Sequence, residues 1–175
     1  MRRSLLLHST SQSSARIDVE VARAAGRLSL RYVVSGRIAD LRLPPRAMSA
    51  RTDELWKNTC FEAFVRAGGP YGEFNFAPST QWAAYRFDSY RSGMQPLDIP
   101  SPDIAVRTTG DQLALDVSLE LGGLADLPAA ALWHLNLSAV LEDTSGMRSY
   151  WALAHPPGAP DFHHRDCFAL ELPPA

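Results

Sequence analysis

The chain has 175 residues, 46% of them hydrophobic and 21% charged, and a formal net charge of -2. That length suits one domain, residues 1–175, with a sizeable core. The near-neutral balance, with no Lys-rich or Arg-rich run, excludes a general attraction to nucleic acid or to anionic membranes. No apolar stretch is long enough to span a bilayer as a helix. The apolar run near the N-terminus stops at Leu7, before His8, which is too short for a signal-peptide core, so the expected location is cytoplasmic. Cys60 and Cys167 are the two cysteines and make no disulfide framework; both are expected as buried thiols.

Along the chain the apolar pattern has a period of two. Ile17, Val19 and Val21 alternate with polar residues, Gly26 marks a turn, and Leu28, Leu30, Tyr32 and Val34 complete an N-terminal hairpin. A proline-containing connection, Leu43 to Arg46, leads to the segment from Leu55 to Val65, which reads as one apolar strand opened by Trp56 and carrying Glu62. Gly68 to Gly72 is a turn. Phe74 and Phe76 then face the core, which leaves Glu73 and Asn75 on the opposite side. The strand from Gln81 to Phe87 puts Arg86 on the side of Trp82 and Ala84. After a polar connection from Asp88 to Pro102, Ile104 to Arg107 and Leu113 to Leu119 form a second hairpin around Gly110 and Asp111.

Gly122 to Ala131 reads as a short helix. Trp133, Leu135, Leu137, Ala139 and Leu141 form the next inward stripe, with His134, Asn136 and Ser138 opposite. Strands around Trp151 and from Cys167 to Leu172 close the chain. About ten short strands with minimal helix predict an all-β fold, an antiparallel β-sandwich of immunoglobulin-like or jelly-roll type, with a closed barrel as competitor.

The segments Asp53 to Val65, Tyr71 to Ser79 and Ser149 to Trp151 resemble the DOMON-like group of β-sandwich domains, which includes family 9 carbohydrate-binding modules. Trp56, Glu62, Phe64, Phe74, Phe76 and Trp151 carry the match, which spans most of residues 50 to 172. The segments Tyr150 to Pro156 and Pro160 to His163 are similar to a bacterial DOMON-like subgroup. The resemblance implies a ligand-binding module of immunoglobulin-like topology whose relatives bind sugars or haem.

Tryptophan offers a flat apolar surface and glutamate strong acceptors, a combination suited to a small polyhydroxylated ring. The expected cleft has Trp56 and Trp151 as walls, with Glu62, Asn75 and Arg86 supplying hydrogen bonds, and binds a small sugar-like ligand without turning it over. If Arg86 instead meets Glu62, the pair is a structural ion pair. The expected partner is a small-molecule carbohydrate, with no nucleic acid and no membrane; an exposed sheet edge offers a site for a protein partner or a second copy. No resident cofactor is expected, with haem or a divalent metal as alternatives. Haem would draw on Met48, Met94, Met147, His134 or His155. A metal would draw on His155, Asp161, His163 and His164, whose spacing fits no standard motif. A glycosidase-like enzyme, with Glu62 paired to Glu73 or Asp53, is a further alternative. The chain has no nucleophile elbow, phosphate-cradling loop or dinucleotide fingerprint.

Overall fold

The computed structural model describes residues 1–174 and consists of two antiparallel sheets packed face to face. Among the described residues there are thirteen strands: β1 (Arg2–Ser4), β2 (Leu6–Leu7), β3 (Arg16–Ala24), β4 (Arg27–Ser35), β5 (Cys60–Arg66), β6 (Tyr71–Phe76), β7 (Trp82–Phe87), β8 (Gln95–Pro96), β9 (Asp103–Thr108), β10 (Gln112–Glu120), β11 (Trp133–Glu142), β12 (Arg148–Ala152) and β13 (Leu170–Leu172). The five-stranded sheet runs β1-β3-β4-β10-β9. The eight-stranded sheet runs β2-β12-β11-β5-β6-β7-β8, with β13 paired to the N-terminal part of β11. The all-β antiparallel sandwich is therefore the fold. The strands beyond the expected ten are mostly two- or three-residue pieces such as β1, β2 and β8, too short to leave a periodic signal.

The N-terminal hairpin forms as the alternation requires, with Ile17 opposite Val34 and Val21 opposite Leu30. Its turn needs positive φ at Ala25 and Gly26, and a side chain at Gly26 would strike the backbone of Gly122, 2.6 Å from the place of its Cβ. Gly122 to Ala131 is not the expected helix. Leu124, Leu127 and Ala131 each donate a backbone bond three residues back, making separate turns. Pro128 supplies no N–H to join them into one ladder.

The five-stranded sheet has one face in the core and one in water, and β3 and β4 show this as clean alternation of burial. The eight-stranded sheet differs. In β5 and β6 nearly every residue is buried, on both faces. The inner face contributes Phe61, Ala63, Val65, Phe74, Phe76, Leu135, Leu137 and Ala139 to the interior shared with the other sheet. The outer face lies under a second apolar cluster, in which Leu55, Phe162 and Phe168 from connecting segments cover Cys60, Phe64, Tyr71, Tyr85 and Val140. Tyr32 reaches across the interior and donates to the backbone carbonyl of Glu62 at 2.7 Å, tying the sheets together directly beneath the outer face. Cys60 and Cys167 are buried and free.

Candidate functional site

The outer face of the eight-stranded sheet carries the unusual chemistry. Strand register sets Ala152, Ser138, Glu62, Asn75 and Ala83 side by side in one row across five strands. The next row holds Asn136, Phe64, Glu73 and Tyr85. Directly opposed side chains in such rows are within contact, and diagonal ones within reach. Small residues, Ala152, Ser138 and Ala83, bracket the longer Glu62 and Asn75. Glu62, Glu73, Asn75, Asn136 and Ser138 are all buried, an unusual density of polar groups for a sheet face.

The hydrogen bonds among them are incomplete. Asn75 Nδ2 donates to Glu73 Oε1 at 2.7 Å, and Asn136 Nδ2 donates to the carbonyl of Phe162 at 2.9 Å. These contacts fix both amide orientations, because flipping either one would set oxygen against oxygen. Ser138 Oγ approaches Glu62 Oε2 at 3.5 Å. Glu62 Oε1, Asn75 Oδ1 and Asn136 Oδ1 are buried without a donor. Unpaired buried acceptors cost about 1–3 kcal/mol each, so their retention on one face asks for a reason outside folding.

Burial first, and the charge of Glu73 second, push the Glu62 carboxyl well above the usual carboxylate range. Burial also raises Glu73, against the help of Asn75. His163 comes down to about 4, through burial first and then the positive charge of Arg91. Its Nδ1 is 2.8 Å from the Tyr71 hydroxyl. That hydroxyl accepts from the backbone N–H of Arg91 at 3.2 Å, so its own proton goes to Nδ1 and the ring proton of neutral His163 sits on Nε2. There it faces Glu73 Oε2 at 3.7 Å.

The cover is the connection between β12 and β13, residues 153–169. Asp161 pins it, accepting from Tyr90 at 2.6 Å and Arg91 at 2.8 Å. Burial works against the Asp161 charge, but these two bonds hold its pKa below the ordinary aspartate value. The Cys167 thiol donates to Ala154 and Asp161 carbonyls at 3.2 Å, and burial drives its ionisation up to about 12, so it stays a thiol.

Of the expected site residues, the structure brings Glu62 and Asn75 together as direct cross-strand neighbours. The remaining three fall elsewhere. Trp56 is not part of β5: it lies on a 3-10 turn, Leu55–Lys57, preceded by Glu54 in the left-handed region, so strand parity does not relate it to Glu62. The turn contacts β5 and β6; Leu55 enters the outer cluster and Trp56 stays 48% exposed at its rim. Trp151 belongs to the sandwich interior, 4% exposed, because Tyr150 and Ala152 take the outer parity of β12. It cannot face Trp56 across a cleft. Arg86 also has inner parity, at the sheet end, and binds Asp126 and Asp88 rather than Glu62.

The proposed metal ligands separate as well. His155 Nε2 meets the Leu6 carbonyl at 2.8 Å, Asp161 pairs with Arg91, His163 meets Tyr71, and His164 accepts from the Asp166 amide. Among the described residues no three His, Cys, Asp or Glu side chains converge on one point. Met48, Met94 and Met147 are exposed on separate loops, and His134 lies 3.7 Å from Glu171. On the open face of the five-stranded sheet, Ala22, Ser29, Ala105 and Ser118 floor a depression of about 500 Å³. Beside it Arg31 and Arg107 both pair with Asp116.

Asn136, Ser138 and Tyr71 are residues of this face that sequence reasoning does not single out as site residues, and it offers His163 only as a metal ligand. The signal for the first two is their polar character on the outward side of a strand whose inward side is wholly apolar.

No family model matches the chain, and no curated protein sequence matches it. Solved structures do match. The structure of a "putative carbohydrate-binding protein" from Bacteroides uniformis superposes with a TM-score of 0.72 at 12% identity, covering 95% of this chain and 83% of that one. A family 9 carbohydrate-binding module from Caldicellulosiruptor kristjanssonii, in complex with glucose, gives 0.53 at 12% identity, covering 85% and 72%. Its complex with cellotriose gives 0.53 at the same identity, covering 85% and 70%. The fold resembles that of carbohydrate-binding β-sandwiches. At this identity the likeness shows the fold alone.

Proposed function

We propose that this protein is a non-catalytic binding module for a small sugar-like ligand, held on the outer face of the eight-stranded sheet above Glu62, Asn75, Asn136 and Ser138. The observation that carries the reading is the set of buried acceptors without donors on that face. A polyol supplies hydroxyl donors to such acceptors, while Phe64, Tyr71 and Phe162 in the surrounding cluster offer apolar surface to the ring. Trp56, at the rim, is the aromatic placed to close over a ligand from the solvent side. Entry requires the part of the 153–169 cover around Asp161 to His163 to lift, which breaks the Asp161 bonds to Tyr90 and Arg91, the Asn136 bond to the Phe162 carbonyl and the Tyr71–His163 bond. The solved relatives of this fold named for carbohydrate binding support the ligand class.

The test is a titration of the full chain against mono- and disaccharides, amino sugars and sugar phosphates, read by tryptophan fluorescence and calorimetry. The expected result is saturable binding that is lost in Asn75→Ala and weakened in Trp56→Ala, with the sugar recovered unchanged. A flat response across the panel rejects the reading, and a hydrolysed sugar replaces it with the glycosidase reading through Glu62 and Glu73.

A further inference from the structure

On the reading that the ligand binds over the eight-stranded sheet, on which this inference rests, the one-sided polar groups there select among sugar-like ligands. Glu62 Oε1, Asn75 Oδ1 and Asn136 Oδ1 are buried acceptors without donors. Glu62 and Asn75 are paired across β5 and β6, and Asn136 on β11 is diagonal to Glu62. With the 153–169 cover in place, most donors nearby are committed. Both amide nitrogens are bound to protein oxygens, Ser138 points its hydroxyl at Glu62 Oε2, and His163 Nε2 faces Glu73. Arg91 pairs with Asp161. Arg66, four residues along β5 from Glu62, lies over the Phe168 ring, 4.7 Å from its centroid, and its Nε is a buried donor without an acceptor. Among the described residues no positive charge is bonded to Glu62 or Asn75.

A hydroxyl brings one hydrogen to such a site. A protonated primary amine brings three, together with the charge that a buried carboxylate lacks. We propose that the ligand of this site carries a primary ammonium group, as an amino sugar does, and that this group docks on Glu62, Asn75 and Asn136.

One consequence is a proton exchange. In the empty protein burial beside Glu73 favours the protonated form of Glu62. The arriving ammonium stabilises the carboxylate, so the proton leaves to solvent and the ammonium takes its place: one positive charge enters, one H⁺ departs, and the ammonium keeps all three of its own hydrogens. The titratable and charged groups around Glu62 are Cys60 and Arg66 on its own strand, Tyr71 and Glu73 on β6, Tyr85 with Asp53 from β7 and the preceding loop, Tyr32 beneath, and Asp161 and His163 on the cover with Arg91 beside them. Glu73 and His163 do not exchange places with Glu62 in this scheme, since Glu73 is held by Asn75 and His163 is neutral above about pH 4.

The experiment is isothermal calorimetry on the full chain near neutral pH, in two buffers of different ionisation enthalpy, with D-glucosamine, D-galactosamine, D-glucose, N-acetyl-D-glucosamine and ethanolamine. The expected result is at least one amino sugar binding about tenfold or more tighter than glucose and N-acetylglucosamine, with net proton release on binding. Glu62→Gln should abolish both the preference and the proton release; the wild-type proton count stands as the test if that variant fails to fold. Glucose or N-acetylglucosamine binding as tightly as the amines overturns the inference and leaves the sugar reading standing. Ethanolamine matching the amino sugars, with glucose silent, upholds the ammonium site and removes the sugar reading. No binding by any of the five overturns the inference.

Discussion

The two faces of the eight-stranded sheet are built from the same strands and are buried to a similar degree, yet they are made of different chemistry. Phe61, Ala63 and Val65 point inward from β5 into an apolar core, while Cys60, Glu62 and Phe64 point outward from the same strand into a mixed one. The inner face is held by apolar packing, with Trp82 Nε1 left without an acceptor. The outer face leaves acceptors unpaired and holds Glu62 where its charged form is disfavoured. Burial by itself therefore does not mark a residue as structural: the inner face is what folding requires, and the outer face carries groups that folding would be better without.

The sharpest way to break that contrast is Trp151→Ala. Trp151 fills the inner side, so its truncation should cost about 3–5 kcal/mol in denaturant unfolding; a loss below about 1 kcal/mol would mean the inner face is not the packed core described. The next effect is acid sensitivity on the outer face. His163 titrates near 4 in the fold and at 6.5 in the free side chain. The unfolded chain therefore binds the extra proton first, and the His163 contribution is lost as pH falls from about 6.5 to about 4, by about 2–3 kcal/mol. Compared with the wild type, His163→Gln should show a flatter stability profile across that window. Identical profiles would place His163 in water rather than under the cover.

Glu62→Gln should act in the opposite sense. A raised folded value makes the native state hold the proton longer than the unfolded chain, so wild-type stability declines as pH rises above 4.5, the ordinary value. The amide variant escapes this decline. In the absence of ligand it should be about 1 kcal/mol more stable near pH 8, with the gain vanishing by pH 4.5; a destabilised variant at pH 8 would show that Glu62 has a charged partner. Trp56→Ala carries the smallest expected change, within about 0.5 kcal/mol on stability, since a rim residue half in water packs little. Its effect should appear in ligand titration instead.

Much of the fold is legible in the sequence because the period-two pattern is a direct consequence of side chains alternating across a pleat. The hairpin at Gly26, the inward Phe74 and Phe76, and the outward Glu73 and Asn75 all follow from it. The same rule fails at Trp56 and at Gly122 to Ala131, where left-handed Glu54 and the missing N–H of Pro128 interrupt regular backbone. Residue type, in turn, misplaces an aromatic wall: it groups Trp151 with Trp56, whereas alternation with Tyr150 and Ala152 sends Trp151 inside.

What the sequence determined by itself was local: which residues are strands, where they turn, and which side chains share a face, since these depend on neighbours one to four positions apart. The tertiary structure decided which face is covered. Whether Glu62 stands in water or beneath Phe162 and Phe168 depends on a connection about a hundred residues later in the chain folding back over β5 and β6. Only that return creates the desolvation that gives Glu62, Asn75 and Asn136 their unpaired, ligand-seeking character.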